Sequence, residues 1–477
     1  MNTLFLTNEN SLTFPTGNVD SKKEQISDKC NKVLILGAAG GLSDAFLKML
    51  VMYSKMKTHR MYNFIKDAHF YLVDFNMRIG KDYYAEKAKG LSYTALSLDV
   101  VSHRDSLLQL INYEEIEYVI DFCGGTSRPM DVIKSLLECS SKKGLKYINT
   151  ASAFDDYNED MMQLNSLREN VSGKFTAIVN TGMNAGVVNW MAERIVKKHG
   201  KEGLKACHVF ERDTSCIKNP EPNTGYIGWS VVEFVEEAAK CQSTIVIDGK
   251  PITLRTNSLS YNFDVTIDVK HGSFNGNVVP HDDAYRIGTK YKCDSCFIYR
   301  VNDHTEKLLS KYKDVWTAGN YDESLLGDTK FKLLDVNDPA MKDQITGYDL
   351  VGISAQYQGF EVIMYNKLIQ EEMIKKYNIN ATYYQVVSGV LASFNTLIFD
   401  KVPGKIYFID ELLETSNVTK YLMEVLPEFK TVIRYKKHND LDLKSLDGGK
   451  LKVDSDDGTI IKESSYKMLN IDGITFF

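Results

Sequence analysis

The segments around His208, Trp229 and His281 set acids, an indole and two histidines close enough in sequence to share one site. In LKACHVFERDT, His208, Glu211, Arg212 and Asp213 stand on one segment of alternating polarity. On a strand, His208 and Glu211 then face opposite sides unless a bulge intervenes. In GYIGWSVVEFVEEA, Trp229, Glu233 and Glu237 recur every four residues, which on a helix stacks them along one stripe drifting about 80° over eight residues. An indole face attracts a cation through its quadrupole and a carboxylate neutralises it, so the natural guest of this pattern is a diamine. The same spacing also serves a core tryptophan with two solvated glutamates. His281, in VVPHDDAYRI, titrates near neutrality and is a candidate for proton transfer.

A second chemistry-bearing stretch is KVLILGAAGGLSDAF, residues 32–46, an apolar run that stops at Gly37 and reopens as an amphipathic helix. Glycines at such a turn let backbone N–H groups at the helix start approach a pyrophosphate. A strict GxGxxG would need glycines where Ala39 and Leu42 stand, so the loop is nearer GxxGG. The expected phosphate cradle is Gly37, Ala38, Ala39, Gly40, Gly41 and Leu42, against the alternative of a small-residue turn that only packs helix on sheet. Asp74 ends the buried run AHFYLVD, where a dinucleotide fold places the acid that holds the adenosine ribose. It lies 37 residues after Gly37, and a long helical crossover accounts for the excess over the usual ~20. With no Arg immediately after it, Asp74 favours NAD over NADP.

These residues need a scaffold. Strands at 68–74, 93–98, 117–123, 145–150 and 176–180 alternate with helices at 104–112, 131–139, 161–169 and 187–198, which means parallel pairing with right-handed crossovers. The fold class is α/β: a Rossmann-type doubly wound sheet whose strand-end loops, including 123–127 with Thr126, face the ligand. Past Gly203 alternating strands are joined by turns such as Asp248-Gly249. That marks a second α+β catalytic domain with a mixed or antiparallel sheet, carrying helices at 229–241, 303–312 and 365–377. The helix 381–394 is apolar on most faces and is expected to be buried. The expected domains are 28–203 for NAD, 204–380 for substrate, 381–435 packing back on the first, and 436–477 as a polar tail.

Bulk properties bound the partners. At 477 residues the chain exceeds one ordinary core, and a net charge of −6 gives no reason to expect nucleic acid. Residues 1–27 lack the basic start and apolar core of a secretion signal, and no apolar run reaches the ~18 residues of a membrane span, so a cytoplasmic protein free of membrane is expected. Eight scattered cysteines fit reduced thiols. Cys293 and Cys296 form a CxxC with no second ligand pair at zinc spacing, so no metal is expected.

Taken in order, HVFERDTS, YIGWSVVEFVEE, VVPHDDAYRI and NATYYQVVSGVLAS resemble the successive signatures of bacterial homospermidine synthase, in the saccharopine dehydrogenase-like group. The resemblance runs from the glycine loop to about Phe394. It implies that TGMNAGVVNWM sets Asn184 beside the nicotinamide, that Glu211, Trp229, Glu237 and His281 line the substrate cleft, and that the protein is a homodimer. The family carries an acid in the loop after the fourth strand and another after the fifth, where this chain has Gly125 and Ala153, with Asp155 and Asp156 just beyond. The implied activity joins two putrescines to homospermidine with release of ammonia, NAD being reduced and reoxidised in place. A dehydrogenase of the saccharopine or carboxynorspermidine type stays open as an alternative, as does a nucleotide-binding protein without turnover.

Overall fold

The computed structural model describes residues 30–75, 83–124, 129–138, 144–153, 156–171, 173–268, 270–311, 332–337, 341–435 and 467–470. Two compact units emerge. The first holds the chain up to residue 154 together with Leu164–Thr181 and Val390–Tyr421; the second holds 155–163, Gly182–Gly389 and the chain from Leu422 onward.

In the first unit β1 (Asn31–Leu36), β2 (Ala68–Asp74), β3 (Ser92–Ser97), β4 (Tyr118–Asp121), β5 (Leu145–Asn149) and β6 (Phe175–Val179) form one parallel sheet. A seventh strand, Ile406–Phe408, pairs parallel with β6, and the order is Ile406–Phe408, β6, β5, β4, β1, β2, β3. This is the doubly wound order, and its direction reverses between β1 and β4. The strands inside the sheet read as largely apolar runs, as a sheet covered on both faces requires: every residue of β2 is buried, whereas the edge strand β3 is half-buried. Phe394 packs edge-on against Phe46, Phe64 and Tyr118 at 5.5–5.9 Å between ring centroids. Emptying such a position costs about 3–5 kcal/mol, which ties residues distant in sequence into this core.

The second unit is built on an eight-stranded mixed sheet. Its central strand β7 (Leu204–Asp213) runs parallel to Phe297–Arg300 and antiparallel to Tyr348–Tyr357. Tyr348–Tyr357 in turn forms a hairpin with Phe360–Ile369. One face of β7 is apolar: Phe210 lies in a buried cluster with Ile298, Leu350 and Tyr365.

Several expectations are corrected. Residues 365–369 end a strand, and the helix there is only Gln370–Tyr377. The expected helix 229–241 is a short α-helix, Val231–Val235, running into a π-turn, Glu236–Lys240, so Trp229 precedes it. The units also divide the chain elsewhere than at 203 and 381. Helix Val187–His199 belongs to the second unit, where Glu193 accepts from Tyr291 Oη at 2.6 Å and from Lys290 Nζ at 2.5 Å. Of the tail 436–477 only Lys467–Asn470 falls among the described residues, as an edge strand.

Candidate active site

Two places, one in each unit, carry ligand chemistry. In the first unit β1 ends at Gly37, whose φ is +68°. A Cβ there would stand 3.0 Å from the backbone carbonyl of Phe122, just beyond β4, so both conformation and space require glycine. Gly40 N–H closes the turn on Gly37 O at 3.0 Å, and helix Gly41–Tyr53 begins. Two turn donors are already used: Ala38 N–H bonds Val73 O at 3.0 Å and Ala39 N–H bonds Asp74 Oδ2 at 2.9 Å. The donors that remain by helix geometry are those of the first turn, from Gly41 and Leu42. Asp74 sits at the end of β2, 7% exposed, and links the turn to the second strand. A dinucleotide fits this arrangement: a helix start for the pyrophosphate beside a close backbone approach, and an acid at the neighbouring strand end. Thr126 and Gly125 lie outside the described residues, as does Asp155. Ala153 is buried, and Asp156 caps helix Tyr157–Asn170 by accepting from Glu159 N–H at 3.0 Å. Of these described positions Ala153 has no acid to offer, and Asp156 is exposed at its helix start.

In the second unit alternation along β7 sends His208 and Glu211 to opposite faces. His208 Nδ1 lies 3.3 Å from Cys296 Sγ within the apolar side, so it is a core histidine. Glu211 and Asp213 share the other face. Register extends that face sideways: Glu211 pairs with Tyr299 and Val351, and Asp213 with Asp349. Asn184 Nδ2 donates to Glu211 Oε2. Ser215 N–H donates to Asp213 Oδ1 at 2.8 Å. Gly228 lets Asp213 come close, since a Cβ there would be 2.2 Å from Asp213 Oδ2. Trp229 donates its indole N–H to Tyr299 Oη at 2.9 Å, which fixes the half-buried ring beside this acidic face.

A second set of acids adjoins through the π-turn. Tyr157 Oη is 3.5 Å from Glu237 Oε1, at the limit of a hydrogen bond. His281 caps helix Asp282–Tyr291, and its Nδ1 lies 3.2 Å from Asp283 Oδ2. Asp283 Oδ1 accepts from Asn189 Nδ2 at 2.7 Å and Gly186 N–H at 3.1 Å, which fixes the carboxylate whose Oδ2 faces the imidazole.

Electrostatics follows from burial and crowding. Burial, then the Asp213 charge, pushes Glu211 up to about 8; Asn184 pulls the other way. Burial pushes Glu237 up to about 8 despite His281, with Glu233 and Asp282 adding repulsion. Burial also raises Glu233, Asp213 and, most strongly, Asp349. His281 goes the other way for a buried imidazole: burial opposes its charge, but Asp283, Glu237 and Asp282 outweigh it and bring it up to about 9. Carboxyls and an imidazole that titrate between about 8 and 9 can exchange protons with an amine.

No protein-family model and no curated protein matches this sequence. Solved structures do. A homospermidine synthase from Legionella pneumophila, in complex with NAD, superposes with a TM-score of 0.63 at 16% identity, over 87% of this chain and 96% of that one. The two share a fold. An apo saccharopine dehydrogenase (L-Glu forming) from Saccharomyces cerevisiae gives 0.53 at 13% identity, over 84% of this chain and 99% of that one.

The sequence pointed to Glu211, Trp229, Glu237, His281 and Asn184, and the structure sets all five in the second unit, with Asn184 on Glu211 and Trp229 bonded to Tyr299. The stripe argument for Trp229 is replaced by that bond. Sequence reasoning left out Asp349 and did not select Asp213. The available signal for Asp349 was an acid in the run YDLVGISAQY, charged where a buried strand should be apolar.

Proposed function

We propose that the protein is an NAD-dependent homospermidine synthase, joining two putrescines to homospermidine with loss of ammonia. The observation that carries this reading is the sign of the second unit's site. Glu211, Asp213, Asp349, Glu233 and Glu237 respond mainly to burial and to one another, and the cation that figures among their main influences is His281. A substrate bearing a carboxylate, as a saccharopine-type reaction requires, would add one more acid to a buried group already too crowded to ionise in full; an α,ω-diamine brings the positive charge that lets these acids ionise. The inner acids, Glu211, Asp213 and Asp349, suit one ammonium end, and Glu233 and Glu237 the other.

NAD, held by the Gly37 turn, the start of helix Gly41–Tyr53 and Asp74, would supply an acceptor of hydride that returns it within the same cycle. The protein's own groups would handle protons. Glu211, oriented by Asn184, takes a proton from the reacting ammonium, because only a neutral amine can surrender hydride from the adjacent carbon. With Nδ1 of His281 held by Asp283, exchange at that residue runs through Nε2, returning protons to the leaving ammonia. Trp229 offers a π-face to the transient cationic imines of the substrate.

Incubation with putrescine and NAD⁺ should yield homospermidine without net NADH. Steady NADH accumulation would make the enzyme a net dehydrogenase, and neither product would remove catalysis from the reading.

A further inference from the structure

Asp349 is fully buried, and neither carboxylate oxygen has a protein partner of ordinary hydrogen-bond geometry. The donors that act on it are the hydroxyl of Thr382, itself 8% exposed and without a partner of such geometry, and the backbone at Leu350. In register beside it Asp213 has the Ser215 N–H, and Glu211 has Asn184. From the flanking elements this face also receives Tyr299 from Phe297–Arg300 and the more distant Glu237 from the π-turn. Arg212 points to the other face, where it lies over the rings of Phe274 and Tyr348 at 5.8 and 5.9 Å. Three carboxylates facing one buried space without a cation cannot all be ionised, since desolvation and mutual repulsion act together. They must hold protons or a cation.

We propose that Glu211, Asp213 and Asp349 form an exchange socket for a primary ammonium: empty, it stays near neutrality by retaining protons, and an entering ammonium drives them out, so that amine binding is coupled to proton release. The balance is one proton lost to solvent for the single ammonium charge the socket takes in; at the other end His281 already offsets Glu237. Asp349 is the residue that makes the exchange, because no donor of ordinary hydrogen-bond geometry reaches its carboxylate and the neighbouring Thr382 and Leu350 offset its burial only in part. This rests on the amine reading above and adds to it a binding mode, with Asp349 as the innermost ligand.

The test is calorimetric titration of putrescine into the full-length protein saturated with NADH, which blocks oxidation, near pH 7 in phosphate and in Tris. The binding heat should depend on the buffer's ionisation heat with a slope of about one proton released per putrescine. Asp349→Asn should at least halve that slope while putrescine still binds, whereas the exposed Glu371→Gln should leave it unchanged. Asn cannot ionise, so Asp349→Asn should melt no lower than the parent; if it fails to fold, Asp213→Asn carries the same expectation. A slope of zero in the parent, or one untouched by both variants, overturns the exchange. A slope of about one in a protein that makes no homospermidine supports the exchange and removes the synthase reading. Homospermidine formed with a slope of zero does the reverse.

Discussion

Under the proposed function the two units would solve recognition with different materials. The glycine turn of the first works through backbone: a positive φ at Gly37, a carbonyl 3.0 Å from where its Cβ would stand, and helix-start N–H groups. The acidic face of the second works through side chains gathered from β7, Tyr348–Tyr357, the π-turn and the loop before helix Val187–His199. Backbone recognition tolerates most substitutions and fails at the one or two residues that shape the turn. Side-chain recognition is spread over many residues, and each carries a burial cost that appears as a shifted pKa.

Substitutions can break that contrast. The largest effect is expected at Trp229→Ala, which should abolish homospermidine formation while fluorescence titration shows NAD binding unchanged; turnover that survives would remove Trp229 from the substrate wall. Next is Gly37→Ala, where strain of about 1–3 kcal/mol should weaken NAD binding by roughly tenfold or more and leave putrescine binding, followed by calorimetry, as it was. If both affinities fell together, the division of labour between backbone and side chains would be wrong.

A third effect concerns pH. Glu211 and Glu237 move from the usual 4.5 up to about 8, and His281 from 6.5 up to about 9. In each case the native state binds more protons than the unfolded chain, so stability falls as pH rises across this range. The ligand-free protein should therefore lose several degrees of melting temperature between about pH 5 and 9, and a Glu211→Gln, Glu237→Gln double variant should show a flatter profile. A melting temperature rising with pH would contradict the buried acids. The smallest effect is Tyr299→Phe, which removes the acceptor for the Trp229 indole and should cost about 1 kcal/mol in chemical denaturation, with only a modest rise in KM for putrescine.

Much of the first unit was legible because its elements obey strong periodic rules. β2 was read to the residue, since a strand covered on both faces is a bare apolar run between turns. The hairpin Tyr348–Tyr357 with Phe360–Ile369 was not. Its second strand runs without a break into QEEMIKKY, whose helical spacing drew residues 365–369 into the helix reading. Missing that hairpin meant missing Asp349. The helix drawn through Trp229 failed for a related reason: Ser230 accepts from Glu233 N–H and caps a helix that starts at Val231, two residues later, and the π-turn at Glu236 breaks the four-residue stripe.

The sequence by itself determined the alternation of strand and helix, the glycine turn and the acid at the end of β2, because these depend on local sterics and on hydrophobic period. It also assembled the chemistry types, two histidines, an indole and a run of acids, without saying which of them meet. Only the tertiary structure decided that His208 belongs to the core and Glu211 to the buried acidic face, since strand register sets which neighbours each one meets. It alone brought Asp349 beside Asp213, residues joined by pairing across a sheet and not by spacing along the chain. A buried charge acquires its meaning from what surrounds it, and those surroundings exist only after folding.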